Sequence, residues 1–473
     1  MGNVISRLLD GYQNVVIYGA GGVAKAACSL LKEYCVKKTV HIAVTNTKKN
    51  PKHLEGLQVY SINELLNSGF QNDALFIAAM MPSSADIVKN ELLGSGYQNV
   101  LTADEVAKEL YREFYRNPIQ KGKILFCNFS GRGYGCNPKY ICEEIVRRDL
   151  DTVECAWADD GSGEGVPQKI RTVKYGTYEY YYELATSQVW IDNQHKDFFS
   201  RKREGQYYVQ TWHGNGPLKK IEYDAPGLPK SYLELLDHDM EMVDLCLSGS
   251  AFNSMLYKRA FHYEGDVLEC GCPRNDVFFN KKLDLKKIRA DIGVEEDAVV
   301  ILYAPTLRDG DSSMIDAPYV IEACQKLYNR PCIMLIREHP QMKMKSGRYV
   351  FSGKVINVSD YADVQELLAA VDMLITDYSS VMWDFSQQRK PVFLYHPDAD
   401  AYEEERGVYI PFSELPYIEA FDMKDLYEKI CQYDDKLYQR RLDDFFETYQ
   451  PFDNGNASRT VTDKIVEVIK NGV

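Results

Sequence analysis

Apolar and polar positions along the chain fall into a repeating block: a short, almost wholly apolar run, a glycine-containing or polar turn, then a segment with apolar residues every three or four positions. Such runs bounded by turn residues predict buried strands, and the 3.6-residue periodicity after them predicts covering helices. The first blocks, "NVVIYGAGG", "VAKAACSLLKEY", "VHIAVTN" and "ALFIAAM", read strand, helix, strand, strand, the opening of a Rossmann-like unit. Over "LYREFYRNPIQKGK", residues 110–123, polar and basic residues and a proline replace the periodicity, so a linker is expected there.

A second series follows in "KILFCNFSG", "ICEEIVRR", "SQVWIDNQ" and "YYVQTWHG". The charged helix and acidic turn of "KKLDLKKIRADIGVEEDA" separate it from a third, made of "VVILYAPT", "CIMLIREHP", "KVINVSD", "DVQELLAAV", "DMLITDYSS" and "PVFLYH". The expected organisation is α/β throughout: a Rossmann-like accessory domain over 1–116 and two further α/β lobes over 117–290 and 291–473. The tyrosine-rich "YGTYEYYYELA" is expected to pack an aromatic helix face.

The turns carry the candidate chemistry. Gly19-x-Gly21-x-x-Ala24 lies between strand and helix, where Gly19, Gly21 and Gly22 would let backbone approach a phosphate. The next strand, however, ends in Thr45-Asn46-Thr47-Lys48-Lys49 and lacks the acidic residue that grips an NAD ribose. An NAD(P)-dependent oxidoreductase is therefore disfavoured, and these glycines serve either tight packing or another nucleotide or phosphate.

Hydrophobic residues make up 45% and charged residues 26%, the balance of a folded globular protein. The formal charge of −14 excludes nucleic acid as a partner for the surface as a whole and requires a local basic pocket for any anionic ligand. Twelve scattered cysteines without a C-x-x-C pair suggest neither a zinc site nor a disulfide framework, and fit the reduced thiols of a cytoplasm. No apolar run approaches the ~20 residues of a membrane span and no signal-peptide segment is evident, so an intracellular location is expected. "MGNVIS" fits the myristoylation pattern, but a short helix start is the favoured reading. No metal or cofactor is expected.

In "LITDYSSVMWDFSQQRKP" an apolar strand delivers Asp377, Ser379 and Ser380 to the start of a helix bearing Asp384, which sets hydroxyls beside unpaired N–H groups and favours an anion. "LIREHP" ends a second strand with Arg337, Glu338 and His339; "ILYAPTLRD" ends a third with Pro305, Thr306, Arg308 and Asp309; "GCPRND" supplies Arg274 between the lobes. Arginine suits phosphate because its planar fork donates two hydrogen bonds. His213, in "QTWHGNGPLKK", stands in a strand-end loop with two lysines behind it.

Taken in order, "NFSGRGYGCNPK", "VWIDN", "YVQTWHGNGPLKK", "SGSAFNSMLYKRAF", "CGCPRND", "ILYAPTLRD", "REHP", "LITDYSSVMWDF", "KPVFLYHPDADAYEEERGVY" and "LP" resemble the CDP-glycerol:poly(glycerophosphate) glycerophosphotransferases of bacterial teichoic acid synthesis over roughly residues 123 to 465. The resemblance implies a GT-B-like pair of Rossmann-type lobes that transfers polyol phosphate, most simply glycerol phosphate from CDP-glycerol, to a hydroxyl and releases CMP. CDP-ribitol or another CDP-polyol is the alternative donor, and a non-catalytic nucleotide-binding module is the alternative of another class.

Carried over by motif, His213 would be the general base and His339 would hold the donor pyrophosphate. Ser379 and Ser380 would bind phosphate, Asp384 would contact the donor, and Arg274, Pro305, Thr306, Arg337 and Glu338 would line its pocket, with Trp212, Gly214, Asn215, Pro217, Lys219 and Arg308 completing the substrate site. The family pattern WHGTPLK has its proline two residues after the glycine; here Asn215-Gly216 precedes Pro217, one residue more. The implied acceptor is a polyol-phosphate or lipid-linked polymer at the inner membrane face. The basic, aromatic loop "HKDFFSRKRE", residues 195–204, has the composition to touch that surface, though a solvated loop between strands is the favoured reading.

Overall fold

In a computed structural model of the chain, the described residues are 3–66, 73–150, 152–214, 216, 218–280, 283–306, 314–338, 351–399, 402 and 407–472. They form three sheets in series. The first has the order His53–Leu54, Leu57–Ser61, Thr39–Val44, Asn14–Tyr18, Ala74–Ala78, Val100–Thr102 and is parallel apart from its terminal hairpin. The apolar run Val15–Tyr18 sits at its centre because covered parallel strands have no solvent face to keep polar.

The second sheet is wholly parallel, in the order Asp266–Glu269, Leu245–Ser248, Tyr207–Gln210, Ser187–Asp192, Gln120–Cys127, Glu154–Asp159, Arg171–Lys174. The third runs Val355–Asn357, Cys332–Ile336, Val299–Ala304, Met373–Thr376, Val392–Tyr395, Ile418–Ala420, also parallel. In both, the first strand in sequence lies inside the sheet and successive strands depart to either side. That reversal opens a crevice at the strand carboxyl ends, where α/β folds bind ligands. The architecture is the expected one: an N-terminal Rossmann-like domain followed by two Rossmann-type lobes.

The structure corrects the linker expected at residues 110–123. Helix Ala103–Phe114 starts at a capping box between Thr102 and Glu105 and buries Leu110, Tyr111 and Phe114, while strand Gln120–Cys127 has already begun at 120. The amphipathic helix was disguised by its charged residues, since exposed Arg112 and half-buried Glu113 stand between buried positions. Its apolar face joins one continuous core with Tyr180, Tyr181, Phe198, Phe199 and Tyr208 of the second lobe, so the first domain is seated on its neighbour. The tyrosines of helix Tyr178–Thr186 pack as expected.

The aromatic loop at 195–204 is likewise anchored inward rather than toward a membrane or solvent. Phe198 and Phe199 are 2% and 1% exposed, Lys196 is wholly buried against Asp192, and Arg201 pairs with Asp104 of the first domain. An aromatic-basic sequence reads the same whether it faces lipid or a domain interface; here the interface takes it. Among the described residues no helix is long and apolar enough to cross a membrane.

The C-terminus crosses back between lobes. Helix Asp435–Tyr449 contributes Tyr438, Leu442 and Phe445 to the third core, but helix Ala457–Asn471 lays Ala457, Val461 and Ile465 against Ile124, Phe126 and Ile141 of the second. Asp276 fixes its start, accepting from the backbone N–H groups of Ala457 at 2.9 Å and Ser458 at 2.8 Å.

The glycine turn of the first domain has a packing role at Gly19. Its φ is +133°, and a Cβ there would lie 2.6 Å from the Ala79 carbonyl oxygen. A Cβ on Gly21 would meet nothing within 4 Å, and one on Gly22 would touch Leu235 of the second lobe at 4.0 Å. Gly19→Ala should therefore cost about 1–3 kcal/mol of stability and Gly21→Ala less than ~0.5 kcal/mol, measured by denaturant unfolding. Equal effects at the two positions would contradict the packing role.

Candidate active site between the second and third lobes

The switch points of the two sheets face one another through a small set of side chains. In the second lobe, strand Ser187–Asp192 ends in Asn193, which is fully buried. Its backbone N–H bonds to Asp192 Oδ1 at 2.7 Å, its Nδ2 donates to Asn128 Oδ1 at 2.8 Å, and its Oδ1 accepts from Phe129 N–H at 2.8 Å. So fixed, its carbonyl oxygen lies 2.7 Å from His213 Nδ1. A carbonyl can only accept, so Nδ1 carries the proton and Nε2 keeps its lone pair, the tautomer a base requires.

His213 is half-buried, with Trp212 against one side (ring centroids 4.1 Å apart) and Phe129 against another at 5.2 Å. Burial, reinforced by the Arg274 charge and opposed by the Asn193 carbonyl, lowers its pKa to about 4. Trp212 itself has φ +51°, and Phe129, Ser130 and Cys136 in the facing turn also have positive φ. Left-handed backbone at Trp212 and Phe129, the two residues packed on the imidazole, is the kind of strain that accumulates at functional sites.

Arg274 links this loop to the third lobe. One guanidinium nitrogen donates to the His213 carbonyl at 2.7 Å and reaches Cys136 Sγ at 3.1 Å; the other contacts Asp384 at 2.9 Å. Burial opposes its charge, but Asp384 together with Cys136 and Cys272 outweighs that and raises its pKa well above the usual value, so it remains a cation. Asn137, at the first turn of helix Cys136–Arg148, completes the frame: its Oδ1 accepts from Arg274 N–H at 3.2 Å and its Nδ2 donates to the Trp212 carbonyl at 3.0 Å.

The chain beyond His213 crosses into the third lobe. Gly216 lies flat on Trp383, where an added Cβ would overlap the indole ring. Leu218 is buried in the third lobe's core, and residues 218–220 pair with 407–409: Tyr409 N–H donates to the Leu218 carbonyl at 2.8 Å, Lys220 N–H to the Gly407 carbonyl at 3.1 Å, and Lys219 bridges Val408. The additional residue at Asn215-Gly216 thus supplies a position without a side chain where the strap passes Trp383.

In the third lobe, Asp377 organises the crevice. Its carboxylate accepts from Thr306 N–H at 2.9 Å, Thr306 Oγ1 at 3.0 Å and Tyr378 N–H at 2.6 Å, drawing the ends of the two central strands together beside Pro305. Ser379 Oγ accepts from Val381 N–H at 3.4 Å, and Ser380, at the start of helix Val381–Ser386, makes no capping bond with its side chain; both are half-buried. Plain N-capping therefore occupies one serine weakly and leaves the other hydroxyl for a different partner.

Several expected site residues are held by protein groups. Arg337 spends its guanidinium on the carbonyls of Val358 at 3.1 Å and Tyr361 at 2.6 Å, and Glu338 is held through its N–H by Ser359 Oγ at 3.0 Å. Asp384, expected to contact a donor, is 3% exposed and engaged by Arg274, Asn275 Nδ2 at 3.2 Å and Gln365 Nε2 at 3.4 Å. Gly214 lies over the Trp212 indole, 3.6 Å from Nε1 at its Cβ position. Asn215, Pro217, Arg308 and His339 lie outside the described residues.

Asn193, Asn137, Asn275 and Gln365 join the site without having stood out in the sequence. A polar pair closing an all-apolar strand, as in "VWIDN", is the signal that marks Asn193; Asn137 and Asn275 lie within the motifs "NFSGRGYGCNPK" and "CGCPRND", and Gln365 carries none. Nor does any motif announce the buried charge cluster behind Trp212. His195 Nδ1 lies 2.8 Å from Asp239 and Nε2 lies 3.5 Å from Glu222; burial opposes its charge, but the two carboxylates push its pKa up to about 10.

Known proteins share the sequence and fold of this chain. The family model described as CDP-Glycerol:Poly(glycerophosphate) glycerophosphotransferase matches residues 109–467. The chain belongs to this family. It is 32% identical over 379 residues to a teichoic acid poly(glycerol phosphate) polymerase of Staphylococcus epidermidis, covering 74% of this chain and 51% of that one. To a teichoic acid glycerol-phosphate transferase of Staphylococcus aureus it is 28% identical over 367 residues, covering 73% and 93% respectively. Among solved structures, the wall teichoic acid polymerase TagF superposes with a TM-score of 0.69 at 28% identity, covering 77% of this chain and 93% of that chain. The chain thus spans about half the length of the S. epidermidis relative, and the matched family region leaves most of the first domain outside it.

Two outcomes follow from the site's geometry. His213 should stay neutral down to about pH 4, where an unperturbed histidine charges near ~6.5; histidine-selective 15N NMR, assigned with a His213→Asn variant, reads the midpoint, and a value near 6.5 would show the ring is not buried against Arg274. Gly216→Ala should lose about 1–3 kcal/mol in denaturant unfolding through its overlap with Trp383, and wild-type stability would show that the strap does not pass there.

Proposed function

We propose that this protein transfers glycerol phosphate from CDP-glycerol to a hydroxyl of a polyol-phosphate acceptor and releases CMP. The observation that carries the reading is the His213 imidazole locked as the Nδ1–H tautomer by Asn193, with its Nε2 lone pair left for a proton. An alcohol is a weak nucleophile at neutral pH, and a positioned base supplies what it lacks.

In the proposed reaction the acceptor hydroxyl gives its proton to His213 Nε2 as its oxygen attacks the phosphorus bearing glycerol. The bond from that phosphorus to the bridging oxygen breaks, and CMP leaves with the electron pair. The remaining work is positioning and charge neutralisation. Ser379 and Ser380 are assigned to phosphate oxygens, His339 to the donor pyrophosphate and Arg308 to the substrate, with Pro305, Thr306, Arg337 and Glu338 lining the pocket. A pyrophosphate in the cleft would counter the field of Arg274 and raise the His213 pKa from about 4 toward the working range.

On this reading the lobe at 117–290 receives the acceptor, the lobe at 291–473 with the returning C-terminal segment holds the donor, and residues 1–116 are accessory. Several relatives are named for glycerol phosphate, and a primase and a polymerase of Bacillus spizizenii are named for ribitol phosphate, so CDP-ribitol is the second candidate donor. With a lipid-linked polymer as the acceptor, the proposed work lies at the cytoplasmic face of the membrane.

The test is CMP release, followed chromatographically, from CDP-glycerol and CDP-ribitol in parallel with a glycerol-phosphate oligomer as acceptor. His213→Ala should reduce turnover by about 10²–10⁴-fold while calorimetry shows donor affinity little changed. Undiminished transfer by that variant would remove the base assignment, and release from neither donor would remove the function.

A further inference from the structure

The cleft contains a buried ion pair that the transfer chemistry does not use. Asp384 belongs to helix Val381–Ser386 of the third lobe and is 3% exposed; Arg274, from the second lobe, is 6% exposed. Protein groups enclose the Asp384 carboxylate: Arg274 at 2.9 Å, Asn275 Nδ2 at 3.2 Å and Gln365 Nε2 at 3.4 Å. A carboxylate so enclosed is poorly placed to receive a ligand that is itself an anion.

Arg274 in turn points its other nitrogen at the His213 carbonyl, 2.7 Å away, so the guanidinium connects the helix bearing Asp384 to the backbone of the proposed base. The residue before Asp384, Trp383, touches the same loop from the other side by lying under Gly216. One short helix therefore grips the His213 loop at both ends, through charge at residue 213 and through ring packing at residue 216. That helix directly follows Ser379 and Ser380.

We propose that Asp384 is a positioning residue for His213: by fixing Arg274, with Trp383 seated under Gly216, it sets the base from the lobe that carries the donor edge. The inference rests on the transfer reading above and deepens it, since it moves Asp384 from donor contact to control of the base. Removing its charge frees Arg274 to rotate, and the His213 backbone loses the donor that orients it. A misplacement of about 1 Å at a reacting group is enough to cost roughly 10²-fold in rate.

The experiment compares Asp384→Asn with the wild type in three readouts: kcat for CMP release, CDP-glycerol affinity by calorimetry, and the histidine-selective 15N signature of His213. The expected result is a kcat lower by about 10–10²-fold, donor affinity within about threefold, and a His213 signal that loses its single Nδ1–H tautomer. Trp383→Phe, which keeps a ring under Gly216, should show the same pattern in milder form and serves if Asp384→Asn does not fold. A tenfold or greater loss of donor affinity with kcat retained would make Asp384 a donor ligand and overturn the proposal. An unchanged His213 signal in both variants would overturn it equally. If the wild type releases no CMP, the transfer reading fails separately, and the NMR signature still decides whether Asp384 orients His213.

Discussion

The buried Arg274–Asp384 ion pair is the contact on which the cleft depends. It joins two lobes whose sheets share no strand, and it does so at the loop that carries His213. Burying both charges is expensive, and breaking such a pair from one side typically costs about 3–5 kcal/mol because the other charge is left without compensation. Its value here lies in geometry: a planar guanidinium with directed donors can hold a carbonyl and a carboxylate at fixed separation, which apolar packing cannot do. The surrounding amides, Asn137, Asn275 and Gln365, are all nearly fully buried and extend the polar network around the pair.

Other cross-lobe contacts keep the same register. Lys139 and Tyr140 of the second lobe both reach Asp363 of the third, at 2.6 and 2.9 Å. Leu218 and the backbone pairing of residues 218–220 with 407–409 carry the strap into the third core. The returning segment before helix Ala457–Asn471 closes the loop, with Cys272 N–H on Asp453 at 2.9 Å. These links are mostly polar and directional, so they fix orientation more than they bury area.

Behind the His213 loop lies a second polar layer. Lys196 pairs with Asp192, and the His195 imidazolium lies between Asp239 and Glu222, beneath Trp212. Enclosed charges of this sort hold a backbone conformation that the local sequence does not favour, as at Trp212 with its φ of +51°. The same burial that secures Trp212 lowers the pKa of His213, so positioning and titration of the imidazole share one physical origin.

Three α/β units, the polar strand ends and the family itself were all legible in the chain, because apolar periodicity and strand-end motifs are local properties. The charged face of helix Ala103–Phe114 hid its role, and the aromatic loop at 195–204 proved to be a domain contact, since a sequence records which residues are apolar but not what covers them. The motif around His213 marked a histidine; its tautomer came from a carbonyl 20 residues away, and its anchor from Arg274, 61 residues on. By itself the sequence determined the sheets, the glycine turns and the inventory of candidate groups. The tertiary structure decided which groups engage each other, as at Asp384 with Arg274 and Arg337 with the Val358 and Tyr361 carbonyls, because hydrogen bonds and ion pairs between distant segments depend on chain crossings that no local pattern encodes.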